Sequence, residues 1–109
     1  MPVQGAHQRI AEAVLAWEGI TQAPHRFGGV AFHVGRAEIG HMHGDGLVDI
    51  PFPTSVRDAL VTGGEAEAHH VLPQSGWVSV FLRDDDDVDR AIGLLRKSYE
   101  AKYAKWAAR

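Results

Sequence analysis

Two histidines one residue apart, His41 and His43, stand in a stretch that also holds Glu38, Asp45 and Asp49. The stretch runs from Gly35 to Pro53, GRAEIGHMHGDGLVDIPFP, and four of its residues are glycine. Imidazole is the common transition-metal ligand and the side chain most readily tuned to titrate near neutrality. Residues two apart in a strand point the same way, so an H-x-H step aims both rings at one place. A histidine from another strand, Asp45 or Asp49 would then supply a third ligand for a divalent ion such as zinc. Without a metal, the same groups form a general acid–base arrangement. The structural alternative is a set of half-buried histidines satisfied by Glu38, Asp49 and Asp58.

Further titratable residues fall in segments that read as strands: His33, His69 and His70. If helices cover one face of a sheet, the other face shows His33, the 41/43 pair, Ser79 and one of His69 or His70. Only one of the last two fits, because neighbours in a strand point to opposite faces. Arg57, next to Asp58, either forms a surface pair with it or ties the Pro51–Pro53 loop and holds an anion. Trp77 floors a pocket or fills the core. Ser75, Ser79 and Ser98 lie outside any G-x-S-x-G elbow, so a serine nucleophile has no support.

The elements that would carry these residues follow from periodicity. Residues 5–18 repeat apolar side chains at helical spacing, with Gly19 as a stop. Ile20 to His25 reads as a connector. Alternation then predicts strands from Phe27 to Gly35, Ala37 to His43, Leu47 to Phe52, Glu65 to Leu72 and Trp77 to Leu82. Gly44-Asp45-Gly46 is a hairpin turn. The prolines at 51 and 53 suit an edge strand, whereas Trp77–Leu82, apolar on both faces, suits the sheet centre. A short helix spans Ser55–Thr62, and a long one runs from Val88 to about Trp106. The acidic run Arg83–Asp87 supplies the N-cap and acidic first turn of that last helix. The expected architecture is α+β: a single five-stranded antiparallel sheet with N-terminal, middle and C-terminal helices packed on one face.

Composition narrows the function. One domain is expected from 109 residues, 45% of them hydrophobic and 23% charged. The net charge of −3 leaves no broad basic surface for nucleic acid. Absence of cysteine excludes disulfides, thiolate metal sites and thiol catalysis. No signal peptide or apolar run of membrane-spanning length occurs, so a cytoplasmic location is expected.

The motifs EIGHMHGDGLVDIPFP, RDAL, HHVLPQSGWVSV and LLRKSYE together resemble the luciferase domain family, small bacterial and fungal domains. The resemblance covers roughly Pro24 to Tyr103. Its pattern falls on Glu38, His41, His43, Asp49, Arg57, Asp58, His69, His70 and Trp77. The family name implies light emission, although the chain carries no flavin or nucleotide fingerprint. GWVSVFL and LLRKSYE also resemble, more loosely, the MmcQ/YjbR group, whose α+β fold is related to that of frataxin-like proteins. Gly35-x5-His41-x-His43 matches the opening half of the cupin metal motif, but the glutamate that should follow is replaced by Leu47 and Val48.

The expectation is a small binding domain whose His-rich sheet face takes a small polar or anionic ligand, with a divalent metal. Candidate ligand-binding residues are Glu38, His41, His43, Asp49, Arg57, His70 and Trp77; His41 and His43 are the candidate metal ligands. A metal-assisted or acid–base enzyme is the first alternative. An interaction module that pairs with a second copy, as a homodimer, is the other.

Overall fold

The computed structural model describes residues 3–109. The order is α1 (Ala6–Leu15), β1 (Ile20–Pro24), β2 (Val30–Val34), β3 (Ala37–His43), β4 (Leu47–Pro51), α2 (Thr54–Thr62), β5 (Glu67–Ala68), β6 (Trp77–Phe81) and α3 (Asp85–Ala107). All strands join one antiparallel sheet of six, in the order β1-β2-β3-β4-β6-β5. The α+β architecture is as expected, with one strand more than the five expected. The extra strand is β1, which occupies the supposed connector. Its sequence, ITQAP, has no clean alternation, and all but its first residue are exposed at the sheet edge. An edge strand with little to bury leaves little pattern to read.

The core explains the rest. Val30, Phe32 and Val34 alternate toward the helices, and Met42, Val48, Ile50, Val78, Val80 and Leu82 extend that apolar face across the sheet. Ile10 and Val14 of α1, Leu60 of α2, and Val88, Leu94 and Leu95 of α3 close over it in the same cluster. This is a single sheet with helices, so the jelly roll of a cupin does not apply. Helix α3 crosses β2, β3, β4 and β6 and also packs on α1. Its start is fixed by the acidic run. Asp84 accepts from the Asp87 backbone at 2.9 Å, and Asp87 accepts from the Asp84 backbone at 3.2 Å, a reciprocal cap.

Two placements differ from expectation. Strand β4 is interior, between β3 and β6, whereas β6 has only the two-residue β5 beyond it. Pro51 sits at the last position of β4, so its missing N–H costs the interior strand nothing before its end. The Glu65–Leu72 strand shrinks to Glu67–Ala68, and residues 69–76 form a loop that returns toward the sheet.

The bulge in β3 shapes the site most. Phe32 pairs with Gly40 and His33 with Glu38, so Ile39 is an extra residue on that strand. Ile39 enters the core with no exposure, and the alternation resets after it. Glu38 and His41, three positions apart, consequently share the face away from the helices. The run of buried residues from Ile39 to Met42, on both faces of the strand, has this cause.

Candidate functional site

The helix-free face is built around Asp49. This carboxylate sits mid-strand on β4, opposite His41 of β3 and Ser79 of β6, and is only 1% exposed. Ser79 donates to its Oδ1 at 2.7 Å. Its other oxygen, Oδ2, is buried and receives no hydrogen bond of good geometry among the described residues. Yet three imidazole nitrogens crowd it: Nε2 of His41 at 3.2 Å, of His43 at 3.4 Å and of His69 at 3.5 Å. His70 Nδ1 lies 3.9 Å from Oδ1 and 3.4 Å from Ser79 Oγ.

His41 links two carboxylates. Its Nδ1 meets Glu38 Oε2 at 2.6 Å, while Nε2 faces Asp49. Burial disfavours the imidazolium, but the contacts with Asp49 and Glu38 outweigh it and raise the His41 pKa to about 9. Burial likewise works against the charged forms of Glu38 and Asp49. Contact with His41, joined by Ser79 at Asp49, nevertheless holds both carboxyls below the usual range. With His41 charged, these three groups carry a net single negative charge.

Two neighbouring rings, His25 and His69, are held toward neutrality. His25 stacks on His41 with centroids 3.9 Å apart, and its pKa is lowered by burial and then by the neighbouring His41. Burial also lowers His69. The backbone N–H groups of Val71 and Leu72 donate to His69 Nδ1 at 3.1 and 3.0 Å. That acceptor role puts the proton of neutral His69 on Nε2, facing Asp49. Trp77 walls the site, its ring 5.0 Å from that of His41 and 6.3 Å from that of His69. A hollow of about 330 Å³ opens beside His25, next to Gly28–Val30.

Most of the sequence candidates meet here: Glu38, His41, His43, Asp49, His70 and Trp77. Arg57 does not. It donates to the Ser75 carbonyl at 3.0 Å and pairs with Asp58 at 2.9 Å, tying α2 to the 69–76 loop. Asp45 is a helix cap, accepting the His7 backbone N–H at 2.8 Å, which leaves Asp49 as the carboxylate of the cluster. His33 pairs across the ladder with Glu38, outside the group around Asp49. His69 and His70 both join, because a loop carries them and strand alternation does not apply. His25 escaped the sequence reading, since it follows the strand taken for a connector. Two donor triads lie with their atoms mutually within 4.8 Å: His25, His41, His43; and Asp49, His69, His70.

A family model described as "Luciferase domain" matches residues 36–98, more than half of the chain. The chain belongs to the luciferase domain family. The luciferase-domain match encloses Glu38, His41, His43, Asp49, His69, His70, Trp77 and Ser79, and leaves His25 outside. It bears on the first resemblance alone; the comparisons do not show the looser likeness to the MmcQ/YjbR group. No curated protein and no solved structure matches the chain.

Proposed function

We propose that the helix-free face binds a divalent first-row metal ion through Nε2 of His41, Nε2 of His43 and Oδ2 of Asp49. The observation that carries this reading is Asp49 Oδ2, buried and without a well-formed partner, with both nitrogens 3.2–3.4 Å away. Donors around a tetrahedral ion at ~2.0–2.1 Å stand about 3.3–3.4 Å apart, close to the 3.2 and 3.4 Å that separate the two imidazole nitrogens from Asp49 Oδ2. Two imidazoles and a carboxylate suit zinc, cobalt, nickel or ferrous iron and leave coordination positions open. A small polar or anionic ligand would take an open position.

The outer groups suit the assignment. Glu38 accepts from His41 Nδ1, which fixes the tautomer and turns Nε2 toward the ion. Ser79 orients Asp49 through Oδ1. His69 is an orienting donor rather than a ligand, because its Nδ1 lone pair is occupied by two backbone donors.

Calorimetry on untagged, chelator-stripped protein tests this with Zn²⁺, Co²⁺ and Ni²⁺. The expected result is one ion per chain, lost in the His41→Ala/His43→Ala double variant and weakened ~10–100-fold in Glu38→Gln. No heat, or equal affinity in the double variant, would reduce the cluster to structural histidines.

A second reading, an enzyme, is favoured by His25. A neutral imidazole stacked on a metal-ligand ring is placed to take a proton from a metal-bound water or ligand. Metal-loaded protein that hydrolyses a simple aryl ester, with His25→Ala keeping the metal but losing turnover, would support it. Equal turnover in that variant would exclude His25 as the base.

A further inference from the structure

A cluster of basic side chains lies away from the histidine cluster. A groove of about 520 Å³ opens between the β2–β3 turn and the last turns of α3. Arg36, Lys102, Lys105 and Arg109 line it with Trp106, and no acidic residue does. Five of the chain's eleven basic residues, Arg9, Arg57, Arg83, Arg90 and Arg96, pair with carboxylates; among the described residues none of the four in this groove does. Lys102 is engaged, donating to the Pro51 carbonyl at 3.2 Å and to Ser98 Oγ at 2.8 Å, so in a chain of net charge −3 it is Arg36, Lys105 and Arg109 that form a local anion site. The helix dipole accounts for cations such as Lys105 and Arg109 at the end of α3. It does not account for Arg36, which the β2–β3 turn brings to the same groove.

The wall between these cations is fixed. Trp106 lies against two glycines with positive φ, Gly19 at 81° and Gly35 at 61°. A Cβ on Gly35 would stand 2.4 Å from the indole Cδ1, and one on Gly19 would stand 3.0 Å from Cζ3. Both positions therefore keep glycine so that the indole can seat flat against the chain. The Arg109 guanidinium lies 4.5 Å from the indole centroid. The guanidinium thus covers the indole, and what the groove offers a ligand is guanidinium and ammonium donors beside the apolar walls of Val34 and Ala37, which match an apolar body with a phosphate at one end.

We propose that this groove is a second binding site, for an organic phosphate whose phosphate is held by Arg36, Lys105 and Arg109 and whose apolar body packs in the groove against Val34, Ala37 and the rim of Trp106. The ligand arises either as a soluble aryl phosphate or as an anionic lipid headgroup. The site is separate from the metal reading and stands or falls without it.

Titration calorimetry with phenyl phosphate, inorganic phosphate and phenol is the test, run beside flotation with vesicles containing phosphatidic acid. Phenyl phosphate should bind at least about tenfold tighter than either fragment, as expected when charge-assisted hydrogen bonds and apolar burial add. Arg36→Gln/Lys105→Gln should weaken it by about tenfold or more. Both side chains are exposed, so the melting curve should not change. Flotation without phenyl phosphate binding, and lost in the same variant, would assign the site to a lipid headgroup. Absence of both kinds of binding, or unchanged affinity in the variant, would overturn the proposal.

Discussion

Burying a carboxylate costs several kcal/mol unless other groups replace the water it loses. Asp49 has Ser79 on one oxygen and only crowded imidazoles on the other, so its Oδ2 is the atom most in need of a partner. His41 supplies the counter-charge when no ion is present, and that sets two pH dependences. Its folded pKa, about 9, lies above the ordinary 6.5, so its contribution to stability is complete below pH 6.5 and lost as pH rises through 9. The melting temperature of chelator-stripped protein should therefore decline between pH 6.5 and 9; a flat curve there would contradict the Glu38–His41–Asp49 bridge. On the acid side, the lowered values of Glu38, Asp49, His25 and His69 make stability fall with falling pH. A metal must also displace the His41 proton. Apparent affinity should rise about tenfold per pH unit up to about 9, where an unperturbed imidazole would level off near 6.5. Competition against a chelator at pH 6, 7 and 8 reads this slope, and no rise above pH 6.5 would count against His41 as a ligand.

The strands and the bulge between them place these side chains. The H-x-H step was legible because period-two alternation is robust for two residues on one strand. Glu38 was legible as a carboxylate partner for the histidines, but its pairing with His41 in particular was not, since that depends on one inserted residue, Ile39, that no spacing rule announces. Gly40 next to it is tightly enclosed: an added Cβ would stand 2.5 Å from Leu95 Cδ2 and 3.0 Å from the Asp49 carbonyl. Gly40→Ala should cost roughly 1–3 kcal/mol by overpacking, measured by urea unfolding. Loss of metal affinity should accompany it if the bulge positions the ligands. Helix α3 was read from its acidic start, and Asp84→Ala should cost about 1 kcal/mol through the lost cap. His69 and His70 were misjudged for the same reason that β5 was overextended. EAEAHHVL alternates weakly, and Val71 and Leu72, which would have been its apolar end, are 67% and 54% exposed.

At the scale of the whole molecule, helices cover one face of the sheet and titratable groups occupy the other, so scaffold and site are separable. Among the described residues no helix is long and apolar enough to cross a membrane. Leu95→Ala, at a fully buried position, should cost roughly 2–4 kcal/mol through lost burial and a cavity. His43→Ala, on a side chain 29% exposed, should cost less than about 1 kcal/mol in metal-free melts. Equal damage in both would make His43 a structural residue. The central claim is that His41, His43 and Asp49 bind one ion together, and anomalous scattering from crystals grown with Co²⁺ or Zn²⁺ tests it most directly. The account predicts a single strong peak about 2.0–2.2 Å from Nε2 of His41, Nε2 of His43 and Oδ2 of Asp49, with Glu38 still on His41 Nδ1. No peak on this face, or an ion held only by His69 and His70, would contradict it.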